Sequence, residues 1–356
     1  MTRNTGAGSA SATGRSPGKS RSVLEAARGA QGVRAQVPVL TVSGARPGPT
    51  AVIMAGQHGR ELNGIAAIEQ VFESLDPARM KGTVVFLPVM NPVAIRMHQQ
   101  DYPTEAGRYR PIGASLNMNM NRAWSREGMQ EPTYISAVAE TVWEKYLRHA
   151  DFGMDLHGWS GLSLCLAWAL RRDTDFLRAF GLPWHLVIDK AQHRGLTEDA
   201  AGERRMPWIT CELTPHNQVD PQSVAFGTCG IRNALRFHGM IAGRIERPAV
   251  QYEFAEKHVE TLIRTPAEGL VVGDCRKGEW VRKGERVLRV LSLETLETVC
   301  EFRAPHDALV FNVGGTHWGE DIPESFVVYP GQIVGLLKKP TRILRNPGAP
   351  QRQVRQ

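Results

Sequence analysis

The chain has 356 residues, 42% of them hydrophobic and 22% charged. That is an ordinary globular composition, with length for one large domain plus an appendage or for two domains. Of the net charge of +7, residues 1–22 carry +4 and residues 338–356 carry +6, so the body between them is mildly acidic and nothing marks a nucleic-acid module.

No apolar run is long enough to span a bilayer, and the N-terminal stretch lacks the apolar core of a secretory signal. Five scattered cysteines without a C-x-x-C pair suit a reducing, cytoplasmic setting. Residues 1–22, dominated by Ser, Gly, Thr and Ala, read as a disordered leader. Val37 to Ser43 alternates as a strand does and closes on Gly44 and the Pro47-Gly48-Pro49 turn. Ala51 to Met54 is a short apolar run of the kind a buried parallel strand shows. It breaks at Ala55-Gly56-Gln57. His58 and Glu61 follow at the head of a helical pattern carried by Ile65, Ile68, Val71 and Phe72. Open α/β sheets place ligands outside the carboxyl ends of their strands. A His and a Glu three residues apart can face one centre, and both are ordinary zinc ligands. Taken alone, a favourable Glu at a helix N-terminus explains the spacing as well.

Thr83 to Val89 is a second buried strand, and the polar, Gly- and Pro-containing stretch 98–118 reads as a long loop over the site. It ends at Asn119-Met-Asn121-Arg122, where Arg122 either grips a carboxylate in bidentate fashion or sits on the surface. A helix is expected from Pro132 to His149. Phe152 to His157 then forms a strand that again ends on a histidine. His157 is the natural remote third ligand, and Asp155 shares its face of the strand, placed to orient a ligand or Arg122. Strands at Ser163–Ala167 and Trp184–Ile188 flank a helix near Asp173–Phe180. The apolar run Trp208 to Leu213 contains one carboxylate, Glu212, which is costly if ionised and unpaired. It is either an ion-pair partner or a functional group with a perturbed pKa. A helix from Val224 to Ile241 closes the first domain. Trp124, Trp159 and Trp168 near these segments are either core or part of an apolar substrate pocket.

From Thr261 the texture changes to short alternating strands with Gly turns. Two half-repeats, Thr265–Val272 and Arg303–Phe311, flank a V-x-x-G-x-x-V pattern at Val281, Gly284 and Val287. This resembles the small barrel-sandwich of lipoyl and biotinyl carriers. The carrier lysine is absent, because Glu297 stands where the hairpin-tip lysine would be. The expected organisation is a leader (1–22), a catalytic domain (23–260), an all-β barrel domain (261–339) and a basic tail (340–356).

His58-Gly-Arg-Glu61, Asn119-Met-Asn121-Arg122, Asp155-Leu-His157-Gly and Thr210-Cys-Glu212-Leu occur in this order. On those motifs the chain resembles the succinylglutamate desuccinylase/aspartoacylase family of the zinc carboxypeptidase clan, from about residue 37 to 337. The resemblance implies an α/β fold, a zinc-carboxypeptidase-like mixed sheet flanked by helices, with the small C-terminal all-β barrel. It implies one zinc per chain on His58, Glu61 and His157, the His₂Glu set that also holds zinc in carboxypeptidase A. It makes Glu212 the general base, gives Asn121 and Arg122 the substrate's carboxylate, and asks Arg108 or Arg110 to polarise the scissile carbonyl.

The function implied is hydrolysis of an amide in an N-acyl amino acid or similar small carboxylate. Arg60 stands where family members often carry Asn or Asp and where true carboxypeptidases carry Arg. A small metallocarboxypeptidase therefore stays open as the alternative, and a binding protein on an inactive hydrolase scaffold is a third reading. The expected partner is a small carboxylated substrate, with no nucleic acid and no membrane; homo-oligomerisation is compatible with the sequence. The chemistry is self-consistent. Three protein ligands leave zinc a fourth position for water, the metal lowers that water's pKa to about 7, a nearby carboxylate moves the proton, and an Arg steadies the oxyanion.

Overall fold

Strand β1 (Gly18–Arg28) pairs antiparallel with β2 (Arg34–Ser43), which pairs antiparallel with β4 (Lys81–Leu87). Between β2 and β4 in sequence come β3 (Arg46–Ala55) and helix α1 (Asn63–Ser74). After β4 follow α2 (Pro92–Arg96), α3 (Tyr134–Lys145), β5 (Phe152–His157), β6 (Leu166–Leu170), α4 (Thr174–Phe180) and β7 (Trp184–Ile188). Then come α5 (Thr197–Glu203), β8 (Trp208–Glu212), α6 (Pro221–Phe237) and β9 (Val250–Ala255). These coordinates are a computed structural model that describes residues 16–28, 34–100, 119–124, 134–191, 195–255, 258–316 and 325–347.

The remaining strands are short: β10 (Val259–Arg264), β11 (Gly269–Gly273), β12 (Trp280–Val281), β13 (Arg286–Leu291), β14 (Thr298–Arg303), β15 (Ala308–Thr316), β16 (Val327–Val328), β17 (Ile333–Lys339) and β18 (Arg342–Arg345). β10, β17, β15 and β12 form one four-stranded sheet, and β14, β13, β11 and β16 form a second. Their inner faces share a core around Val271, Val287, Val290, Val310 and Leu337. The expected half-repeats fall on β11 and β15, and Glu297 lies in the β13–β14 turn where a carrier would present its lysine.

The large sheet is ten-stranded and mixed, in the order β1-β2-β4-β3-β5-β8-β6-β7-β9-β18. β3 is parallel to both β4 and β5, and β5 is parallel to β8. The chain leaves β3 toward β4 on one side and later enters β5 on the other, so the strand order reverses at β3. Such a reversal opens a crevice outside the carboxyl ends of the parallel strands. Both faces of these strands are covered. Ala51, Ile53, Met154 and Leu156 pack toward α1, α4 and α6, while Val52 and Met54 pack toward α3 and α5. That two-sided burial is why β3 reads as a continuous apolar run rather than an alternating one.

Two expectations about the ends differ from the structure. Residues 18–22, assigned to a leader, begin β1; residues 342–345, assigned to a tail, form β18 and pair with β9. The basic side chains are used rather than merely solvated. Arg21 pairs with Glu73 and lies 4.6 Å over the Phe72 ring, and buried Lys338 pairs with Glu260 at 2.9 Å. β1 and β18 are the two edges of the large sheet, where Lys and Arg suit the exposed side and blunt edge-to-edge pairing. Because β18 returns to the large sheet, the barrel is flanked by strands of the main body. Leu309, Phe311 and Leu336 of the barrel share an apolar cluster with Leu164, Trp184 and Phe254. Among the described residues no helix is long and apolar enough to cross a membrane.

Under the sheet His238 stacks on Phe152, with ring centroids 3.7 Å apart. Burial pushes its imidazole down to about 4, with Asp151 opposing weakly. The unfolded chain therefore binds the proton more readily than the folded one. The stability is complete above pH 6.5 and is lost as pH falls toward 4. After allowance for solvent screening of a partly exposed ring, the loss is on the order of 1 kcal/mol. Urea midpoints across pH 4–7 check this: a His238→Phe variant should show a shallower acid slope, and an unchanged slope would refute the assignment.

Candidate metal centre

Three adjacent parallel strands end at the same edge, and each delivers one part of the site. β3 ends at Ala55 and its loop carries His58 and Glu61; β5 ends on His157; β8 ends on Glu212, opposite His157 in the β5–β8 register. Gly56 turns the chain at φ +67°, and a Cβ at Gly59 would meet the Ala94 and Gln99 carbonyls at 2.2 Å. The loop can therefore fold tightly against 94–99 only with glycine there. Asn63, at the start of α1, donates to the Leu213 and Pro215 carbonyls at 2.9 and 3.0 Å, tying the helix after Glu61 to the strand end carrying Glu212.

His58, Glu61 and His157 are buried, and one donor atom from each lies within 4.8 Å of the others. Both rings turn Nδ1 toward Glu61: His58 at 2.8 Å from Oε1, His157 at 2.9 Å from Oε2. Each Nε2 faces another acceptor. His58 Nε2 lies 3.0 Å from Asn119 Oδ1, and His157 Nε2 lies 2.9 Å from Asp155 Oδ2. The Asn119 oxygen also accepts the Asn121 backbone N–H at 2.9 Å, which fixes that amide's orientation. Asn121 Nδ2 is 3.2 Å from His157 Nε2, but the charged Asp155 takes that nitrogen's proton bond.

A neutral imidazole has one N–H. Given to Asn119 or Asp155, it leaves a lone pair on Nδ1 aimed at a carboxylate oxygen. That arrangement is stable only with a positive charge between the atoms, either a second proton on each ring or a metal cation. The donor set fits a cation: two imidazole nitrogens and a carboxylate, with the far nitrogen of one histidine held by a carboxylate and of the other by an amide.

The electrostatics agree. Burial alone would raise the Glu61 carboxyl, but His58 and His157 hold it well below the usual carboxylate range. Burial alone would lower His157, but Asp155 and Glu61 more than offset it and raise the imidazole well above its ordinary value. Glu212 behaves oppositely. Burial pushes it up to about 8, Glu61 and Asp155 add to the rise, and His157 and His58 oppose it. Its Oε2 is buried and has no hydrogen-bond partner among the described residues. Glu212 is thus a carboxyl beside the donor set that is poised to take a proton near neutrality.

The structure brings together His58, Glu61, His157 and Glu212, and puts Asn121 beside them. Asn121 is engaged within the protein: its Oδ1 accepts from the Thr197 backbone N–H at 3.3 Å. Arg122 lies on the same short 3₁₀ turn, Met120–Arg122, and donates to the Asn121 carbonyl at 2.7 Å. Arg108 and Arg110 fall outside the described residues, as does most of the 98–118 segment. The three tryptophans use their N–H groups inside the protein: Trp124 on Gln57, Trp159 on the Leu164 carbonyl, Trp168 on Glu198. Gln57, Thr197 and the buried Glu198 are polar residues around the centre that the motifs did not single out. Glu198 Oε2 accepts from Trp168 and Thr210, and burial raises its carboxyl.

A family model for the succinylglutamate desuccinylase/aspartoacylase catalytic domain matches residues 47–238. The chain is 23% identical over 287 residues to an N-alpha-acetyl-L-2,4-diaminobutyric acid deacetylase of Halomonas elongata, covering 77% of this chain and 80% of that protein. It superposes on the product-bound ectoine utilization protein of Ruegeria pomeroyi with a TM-score of 0.71 at 20% identity, over 91% of this chain and 95% of the other. A succinylglutamate desuccinylase/aspartoacylase structure from Rhodobacter sphaeroides matches with a TM-score of 0.71 at 22% identity, over 92% and 97% of the two chains. These likenesses fix the fold class: an α/β mixed sheet with further antiparallel sheets at the C-terminus.

Proposed function

The chain belongs to the succinylglutamate desuccinylase/aspartoacylase family, and from that membership we propose that it is a zinc-dependent amidohydrolase that removes the acyl group from an N-acyl amino acid or a similar small carboxylate. The observation that carries the reading is the convergence of the His58, Glu61 and His157 donor atoms beside a raised Glu212 carboxyl whose buried Oε2 has no partner among the described residues. His58, Glu61 and His157 would hold one zinc, which when bound supplies Lewis acidity toward the scissile carbonyl and lowers the pKa of water.

The protein's own groups do the rest. Glu212 takes a proton from water as the oxygen attacks the amide carbon. It returns that proton to the departing nitrogen as the C–N bond breaks, leaving an acyl carboxylate and a free amine. Asp155 and Asn119 hold the far nitrogens of the two histidines, so the ligand atoms face inward. Arg122 takes the substrate's carboxylate as a planar, fixed fork. Asn121 shares that role only if its present contacts rearrange. Arg108 or Arg110 would meet the carbonyl oxygen. None of the five cysteines is in a disulfide, in keeping with a reducing, cytoplasmic compartment.

Arg60 favours the second reading, a small metallocarboxypeptidase, because it gives the H-x-R-E pattern. Product analysis separates the two. Zinc-loaded protein is offered N-acyl amino acids and short peptides, and released products are identified by mass spectrometry. Free amino acid from the acylated panel is the expected result. Trimming of peptides alone would transfer the protein to the carboxypeptidase reading.

A further inference from the structure

We propose that Gln57 is a positioning residue for the metal centre, that Trp124 sets its orientation, and that the pair joins the segment carrying Arg122 to the ligand His157 through Asp155. The inference rests on the metal reading given above. Gln57 is fully buried and immediately precedes His58. Its Oε1 accepts the Trp124 indole N–H at 2.8 Å. Its Nε2 donates to Asp155 Oδ2 and to Thr197 Oγ1, the latter at 3.0 Å. The Thr197 hydroxyl donates to Asp155 Oδ2 at 3.2 Å, and that same oxygen accepts the His157 Nε2–H at 2.9 Å.

The chain admits one amide orientation. An indole nitrogen is a donor only, and an ionised carboxylate is an acceptor only. Flipping the Gln57 amide would set N–H against N–H at Trp124 and oxygen against carboxylate at Asp155. The Trp124 N–H therefore selects the orientation in which Gln57 donates to Asp155. Fixed in that way, Asp155 Oδ2 stays aimed at His157 Nε2, and the ring turns Nδ1 to Glu61. Trp124 lies two residues after Arg122, and its backbone N–H is pinned to the Gly195 carbonyl at 3.0 Å, just before Thr197. Seating of the Arg122 segment and aim of the ligand histidine are thus set by the same four buried side chains.

The test measures Zn²⁺ affinity by competition with a chromophoric chelator for wild type, Gln57→Leu, Trp124→Phe and the double variant. The melting temperature of the metal-free form serves as the folding control. Gln57→Leu should weaken Zn²⁺ by about 10- to 100-fold, the range for partners behind a ligand. Trp124→Phe keeps an aromatic side chain but loses the N–H together with the five-membered ring; it should weaken Zn²⁺ by a smaller factor, and the melting temperature reports the packing loss separately. The double variant should be no weaker than Gln57→Leu, because Trp124 acts only through Gln57. Wild-type affinity in Gln57→Leu, or factors that multiply in the double variant, overturns the inference while leaving the metal reading intact. A wild type that takes up no Zn²⁺ overturns both. Should Gln57→Leu fail to fold, Trp124→Phe with Thr197→Val makes the same comparison on the two arms of the Gln57 amide. Wild-type affinity in that pair also overturns the proposal.

Discussion

Glu212→Gln should cut turnover by about 10²- to 10⁴-fold, the contribution of a positioned general base, which is roughly 3 to 5 kcal/mol of barrier. The amide keeps the size of the carboxyl and its place at the end of β8, opposite His157. It cannot accept a proton from water or return one to the leaving amine. Zinc content and KM should stay near wild type, since Glu212 is not in the donor set. Its carboxyl is pushed up to about 8 mainly by burial, with Glu61 and Asp155 adding to the rise. Positive charge bound at the neighbouring donors favours the ionised form, so the loaded site should titrate lower than that. The acid limb of the kcat profile should therefore fall below pH 8 in wild type and vanish in the residual rate of Glu212→Gln. A variant turning over within a few-fold of wild type would sink the assignment.

The candidate ligand residues were legible because the physics that places them is local. Each lies at or just past the end of a buried apolar run, and buried parallel strands share one functional edge. His58 and His157 could therefore be placed at one edge from their strand ends, whereas Glu212 joined them only through the resemblance to the family. Asp155 was legible for the same reason, because strand alternation puts it on His157's face. Gln57 and Thr197 were not. Their meaning lies in a shared side-chain partner, Asp155, 98 and 42 residues away in sequence and brought near by strand order and the docking of α5. Helix α5 has seven residues and no side-chain cap, so it leaves little periodic signal. β1 and β18 were missed because an edge strand spaced with Lys and Arg has the composition of a solvated tail. What distinguishes them is pairing, Gly18 through Arg28 against β2 and Arg342 through Arg345 against β9, which composition does not encode. The barrel was read from its Gly turns and alternation. Its return strand into the main sheet was not, since β18 follows only two residues after β17.

Glu61→Ala should abolish both metal retention and activity, the largest combined effect expected for any single substitution here. Both Glu61 oxygens are engaged, one toward each histidine Nδ1, so its loss removes the carboxylate that both rings face. Metal analysis should find less than about a tenth of a zinc per chain after desalting, and product formation should fall to the blank. The contrast with wild type is sharper in unfolding. A ligand at a thousand times its Kd stabilises the folded state by about 4 kcal/mol, so chelation should lower the wild-type midpoint markedly and leave Glu61→Ala unmoved.

Proton counting gives an independent check. Burial lowers the His157 imidazole, but Asp155 and Glu61 more than offset it and raise it well above its ordinary value, which favours a proton on each ring nitrogen when no metal is bound. A cation accepted at Nδ1 must displace that proton, while Nε2 keeps its bond to Asp155. Calorimetric titration of wild type with Zn²⁺, in buffers of different ionisation enthalpy, should therefore register at least one proton released per zinc. If zinc binds with no proton release, His157 Nδ1 is not a ligand atom. If Glu61→Ala binds zinc as tightly as wild type, the metal lies elsewhere, and the charge needed between Glu61 and the two imidazoles is supplied by protons alone.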